Sequence, residues 1–185
     1  MSNSDWQEDV EKTRKMKDNF FAQNWQSPLP PKDRAAFTGL RYYPPDTSYR
    51  FELELHEHPE PQVVKMAYTK GNEQDFINRG EVRFKIDGKE LSLQAYKRSH
   101  EEDTLFIPFK DATSGEETYG AGRYIDLEPD TDRTDEGKWV LDFNQAYNPW
   151  CAYSGAYTCP IVPAENWLEV PIYAGEKDYH QPETG

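Results

Sequence analysis

Residues 82–95, VRFKIDGKELSLQA, decide the fold class. Val82, Phe84 and Ile86 alternate with Arg83 and Lys85, and Leu91, Leu93 and Ala95 alternate back. A period of two puts each apolar set on one face of a strand. Asp87-Gly88 lies between the runs, and Asp-Gly supplies the positive φ angles of a two-residue hairpin turn. The stretch predicts an antiparallel hairpin.

Working outward, further apolar runs predict strands over residues 49–55, 62–68, 104–109, 122–127, 138–144 and 167–172. With the hairpin they make about eight short strands, separated by turn signals every 8–15 residues. That spacing indicates a mainly β (α+β) protein built as an antiparallel β-barrel or sandwich. Residues 70–80, KGNEQDFINRG, read as a turn or loop. Residues 4–25 read as an amphipathic helix, with Trp6, Val10 and Phe20 at helical spacing and Met16, Phe21 and Trp25 widening the stripe. Ser4 and Gln7 fit a capping box, and Pro28 marks the end. Pro30 and Pro31 open a short helix through Ala36. The chain is expected to be one domain, 1–185, with helix 4–25 packed on a β domain at 45–175 and a frayed tail at 178–185.

Composition narrows the function classes. The net charge is −13 over 185 residues. A phosphate backbone needs a positive surface, so nucleic-acid partners are not expected. No run approaches the roughly 20 apolar residues of a membrane span, and the polar start MSNSDWQEDVEK is not that of a signal peptide. A cytoplasmic location follows as the expectation, and the acidic balance suits a salt-rich cytoplasm, where ions screen the repulsion. The only cysteines are Cys151 and Cys159. They lack the Cys/His companions of a zinc site and read as buried thiols.

Candidate chemistry gathers in residues 104–177. Gly115, Gly120 and Gly122 mark tight backbone, and Arg123 at a strand start can fork onto a carboxylate or phosphate. In WVLDFN (139–144), Asp142 and Asn144 fall on the polar face. Asp142 either works beside Glu165 as an acid–base pair or ties down the next turn through backbone amides. The following loop adds Tyr147 and Asn148. Elsewhere, His56 and His58 fall on one strand face, a weak metal-ligand pattern with no evident third ligand.

The blocks PFKDATSGEETYGAGRYIDL, LDFNQAYNPWCAY, TCPIVPAENWL and PIYAGEK together resemble the uncharacterised prokaryotic family known as domain of unknown function 1684. The front half, including QSPLPPKDRAAFTGLRYYPPD, is similar too, so the resemblance covers nearly the whole chain. It implies no activity, cofactor or catalytic residue.

Three function classes stand. The first is a β-barrel whose pocket, lined by Arg123, Asp142, Asn144, Tyr147, Asn148 and Glu165, binds a small polar molecule. The second is a hydrolase or isomerase using Asp142 and Glu165 as acid and base. The third is a structural protein without a ligand site. Flavin enters only by analogy with other small split barrels.

Overall fold

The computed structural model describes residues 2–179. Seven strands form two antiparallel sheets among these residues. β1 (Arg50–Leu53) pairs with β7 (Trp139–Asp142). The larger sheet runs in sequence order: β2 (His56–Ala67), β3 (Glu73–Ile86), β4 (Lys89–Lys97), β5 (Leu105–Phe109) and β6 (Arg123–Leu127). Its edges, β2 and β6, do not pair, so the expected barrel does not close. The architecture is an open two-sheet sandwich.

The hairpin forms as its sequence predicts. Ile86 pairs with Lys89 across Asp87 (φ 50°) and Gly88 (φ 80°). The segment expected to be a loop, residues 70–80, instead begins β3 at Glu73. Its polar letters hide a strand because much of this end of the hairpin is exposed, while Phe76 and Ile77 are buried.

A bulge at Arg79 and Gly80 divides this sheet into two halves that serve different apolar clusters. Asn78 pairs with Tyr96, but Gly80 pairs with Ala95, so Arg79 is extra on its strand. On the other side the register jumps from Glu57–Gly80 to Gln62–Asn78, so residues 58–61 bow out of β2. An extra residue turns a strand's inward set over to the other face. Accordingly Phe76 joins a small cluster with Met66, Tyr96, Phe106 and Tyr124, whereas Val82 and Phe84 join the main core. That core also holds Leu93, Ile107, Phe109, Ile125, Leu141 and Phe143. β5 is buried along its whole length, with Phe106 serving one cluster and its neighbours the other.

Residues 167–172 are not a ladder strand. Leu168, Val170, Ile172 and Ala174 alternate into the main core, but only part of the segment pairs with backbone. Leu168 donates to Lys110 O at 2.7 Å, and Ala112 to Val170 O at 3.1 Å. Beyond Val170 the carbonyls of Ile172, Ala174 and Glu176 are held by a side chain, described below, while Gly175 O accepts from Tyr43 N at 3.0 Å.

Helix α1 (Asn3–Gln23) begins with Ser2 as its cap, accepting from Asp5 N at 3.3 Å, rather than with Ser4. Val10 and Phe21 are its buried residues. Met16 and Trp25, expected on the apolar stripe, are exposed by 63% and 81%. Polar links seat much of the helix instead: Arg14 donates to Tyr43 O at 2.8 Å, and Asp18 accepts from Leu40 N at 3.0 Å. α2 (Pro31–Arg34) is the short helix opened by proline. Of the expected frayed tail, Asp178 donates its amide to Glu117 O at 3.0 Å and Tyr179 stacks on Tyr153, while residues 180–185 lie outside the described residues.

Gly80 is where strand crossing is tightest. A Cβ there would sit 2.5 Å from His56 O and 2.9 Å from Glu57 Cα, both backbone atoms. Gly80→Ala is expected to lower stability by about 1–3 kcal/mol, the usual cost of overpacking. Urea denaturation of the two proteins measures it.

Candidate functional site

The residues expected to share one polar pocket occupy three separate places. Arg123 is sealed in the interior at 0% exposure. Its Nη2 donates to Asp111 Oδ1 at 3.3 Å and to Ile172 O at 3.1 Å, while its Nη1 donates to Ala174 O and Glu176 O. Its guanidinium lies 5.1 Å from the Phe109 ring centre. Asp111 answers with Oδ2, which accepts from Ile172 N at 2.7 Å and from Thr113 Oγ1 at 2.7 Å. Burial pulls the Arg123 pKa down and Asp111 opposes that shift. This enclosed charge is turned to Asp111 and to the backbone carbonyls of residues 172, 174 and 176.

Asp142 and Asn144 tie down chain. Asp142 Oδ1 accepts from Asn144 N at 2.9 Å, and its Oδ2 accepts from Trp6 Nε1 at 2.9 Å. Asn144 exchanges two hydrogen bonds with the backbone of Asp46, at 2.9 and 2.8 Å. Tyr147 donates its hydroxyl to Asp126. Asn148 donates from N and Nδ2 to Glu176, both at 3.3 Å. Of the two readings of Asp142, the turn-tying one is the geometry present.

Glu165 is exposed at the rim of a distant groove. No acid–base pair forms with Asp142, and no group of three or more His, Cys, Asp or Glu side chains suited to a metal exists among the described residues. The barrel pocket and the carboxylate pair are therefore both corrected: strands that do not close enclose no lumen, and the two carboxylates face different cavities. The flavin analogy loses its basis with the barrel.

The groove beside Glu165 has a volume of about 840 Å³. One wall is His58, Pro59 and Glu60 of the bowed-out segment, and the other is Pro163 and Glu165. Val64, Met66 and Tyr96 line it between, at the border of the small aromatic cluster. The wall at Glu165 is fixed by Asn166, fully buried. Its side chain accepts from Gln94 N at 2.8 Å and donates to Gln94 O at 3.0 Å and to Pro108 O at 2.7 Å. Gln94 Oε1 in turn accepts from Asn78 Nδ2 at 3.1 Å and lies 2.9 Å from His58 Nε2, which places the imidazole proton there. Asn78 Oδ1 is buried with no hydrogen-bond partner among the described residues. Burial, with Glu165 adding, pushes the Tyr96 hydroxyl up to about 12.

His58 thus meets Gln94, while His56 is exposed on β2 opposite Glu81. Sequence reading passes over Asn78, Gln94 and Tyr96 as groove residues. Asn78 falls in the presumed loop, and Gln94 reads as an outward hairpin position.

A second buried charge joins α1 to the C-terminal segment. Glu176 is 1% exposed and accepts from Lys17 Nζ at 2.6 Å. Burial raises its pKa above the ordinary carboxylate value, and Lys17 pulls it partly back. Folded protein therefore holds this proton at pH values where unfolded chain has released it, so this group's contribution to stability falls as pH rises through that window. Lys17→Met widens the window. It is expected to cost about 3–5 kcal/mol at neutral pH, as a buried charge losing its partner does, and less as the pH is lowered. Denaturant titrations from pH 7 downward test both parts, with Lys17→Met/Glu176→Gln expected to remove the added pH slope.

No curated protein matches the chain. Among solved structures, an uncharacterised protein of Haloarcula marismortui, determined in solution by NMR, is 40% identical with a TM-score of 0.71, over 94% of this chain and 95% of that one. The model of the family described as "Protein of unknown function (DUF1684)" matches residues 35–177, from just before the Tyr43 segment to just past the Glu176 anchor, and the chain belongs to that family.

Proposed function

We propose that this protein binds a small polar molecule in the open groove between residues 58–61 and Pro163–Glu165. The groove differs in place and build from a barrel lumen: it is a trough on the outer half of the large sheet. Its volume falls in the range of ligand clefts, and it combines apolar floor residues with a few convergent polar groups.

Asn78 Oδ1 carries the assignment. A buried acceptor left unpaired costs roughly 1–3 kcal/mol, a penalty that a ligand donor relieves once the Asn78 side chain turns its Oδ1 toward the groove that the residue lines. Glu60 and Glu165 on opposite walls add negative charge, against Lys65, which reaches Asp75 at 3.4 Å. Val64, Met66, Pro59 and Pro163 suit a hydrocarbon or ring. The ligand class is then a compact molecule with an apolar body and an amine or other N–H donor.

Tyramine has both features and serves as a probe. Titrated into isotope-labelled protein at salt high enough to screen the acidic surface, it is expected to shift the NMR signals of Asn78, Gln94 and Tyr96 saturably. Asn78→Leu is expected to weaken that binding at least about tenfold, the value of one well-placed hydrogen bond to a charged group. Shifts spread evenly over the acidic surface, or unchanged in Asn78→Leu, would refute the groove.

A further inference from the structure

The two thiols are not isolated. Cys151 sits in the 3-10 turn Trp150–Ala152, and Cys159 lies in an extended run that lengthens the edge of β2. Thr69 N donates to Cys159 O at 3.1 Å, and Ile161 N donates to Ala67 O at 2.8 Å. The sulfurs stand 2.7 Å apart, both free.

The surroundings hold them there. Cys159 N donates to Thr69 Oγ1 at 3.1 Å, and the Cys151 thiol reaches Tyr157 O at 3.0 Å. Thr158 Oγ1 donates to Asn72 Oδ1 at 2.9 Å, and Lys70 Nζ donates to Ala156 O at 3.2 Å. Trp150 packs edge-on against Tyr157 at 5.2 Å and closes the base of the loop. A disulfide bond is about 2.05 Å long, so joining these sulfurs needs only a small approach and no refolding of either segment.

We propose that Cys151 and Cys159 are a thiol–disulfide exchange site that closes to an intramolecular disulfide on reaction with a low-molecular-weight disulfide. Cys151 is the half-buried partner and meets the oxidant first. Cys159 is 8% exposed, and burial pushes its thiol up to about 11, so it does not compete for the first attack and reacts only when the mixed disulfide on Cys151 is held against it.

The steps balance. The Cys151 thiolate attacks one sulfur of R–S–S–R, forms a mixed disulfide and expels R–S⁻, which takes up a proton. Cys159 Sγ then attacks Cys151 Sγ, loses its proton and expels the second R–S⁻. The protein loses two hydrogens, and the oxidant becomes two thiols.

The closed form joins two regions. Cys151 leads to Tyr153, which packs edge-on against Phe21 of α1 at 4.8 Å. Cys159 leads through Val162 to Pro163 and Glu165, the groove wall. Oxidation would staple the helix-side cluster to the sheet-side wall.

The full-length protein, incubated with oxidised glutathione, then alkylated and weighed intact, gives the test. The expected product has lost two hydrogens, takes up no alkyl group, and returns to two alkylatable thiols with dithiothreitol. Its thermal midpoint should rise above that of the reduced form. In Cys159→Ser the reaction should stop at one glutathione adduct on Cys151. A wild-type product that stops at the adduct, or two cysteines that stay alkylatable throughout, would overturn the proposal. So would adduct formation on Cys159 in Cys151→Ser at the rate seen for Cys151.

Discussion

A single buried guanidinium does the work of a missing strand. Past Val170 the C-terminal segment has no strand beside it until the lone antiparallel bridge of Glu176 to Tyr42, yet its side chains fill the main core. Its carbonyls at Ile172, Ala174 and Glu176 would be orphaned in that environment, at a cost comparable to lost hydrogen bonds. Arg123 supplies donors to all three. Arginine suits the task because its donors are fixed in a planar fork. Asp111 balances the charge and reaches the same segment through Ile172 N. The arrangement costs desolvation of two ions, so its product is placement of the segment more than net stability.

That placement propagates. Once residues 174–177 are fixed, Glu176 meets Lys17 of α1 and the Asn148 amides, and its own amide donates to Ala146 O at 3.0 Å. The helix, the 146–148 loop and the Tyr43 segment meet at one point. At the other end of the same segment, Asn166 clamps Gln94 and Pro108 and sets the wall that carries Glu165. The groove is the product of that wall and of the bulge that bows residues 58–61 outward.

Local rules were legible in the sequence where one face is buried and the turn chemistry is strict. The hairpin through Asp87-Gly88 is of that kind. β5, β6 and β7 also lie within the spans that alternation marks out. Barrel or sandwich could not be decided there, because closure depends on whether β2 and β6 meet, which no local pattern encodes. Residues 70–80 read as a loop because the bulge and the exposed polar residues at this end of β3 break the alternation. The grouping of Arg123, Asp142 and Glu165 failed for a related reason. Arg123 and Asp142 act as ties between chain segments, while Glu165 lies exposed on a different cavity.

The most direct measurement is residue-resolved hydrogen exchange in Arg123→Met at neutral pH. Removing the fork should open the C-terminal segment first. Exchange should quicken at the amides of Ile172, Glu176 and Lys177, while those of the β3–β4 hairpin keep most of their protection. If all of these amides exchange as in the parent protein, the segment is held by its other contacts and Arg123 is not its anchor.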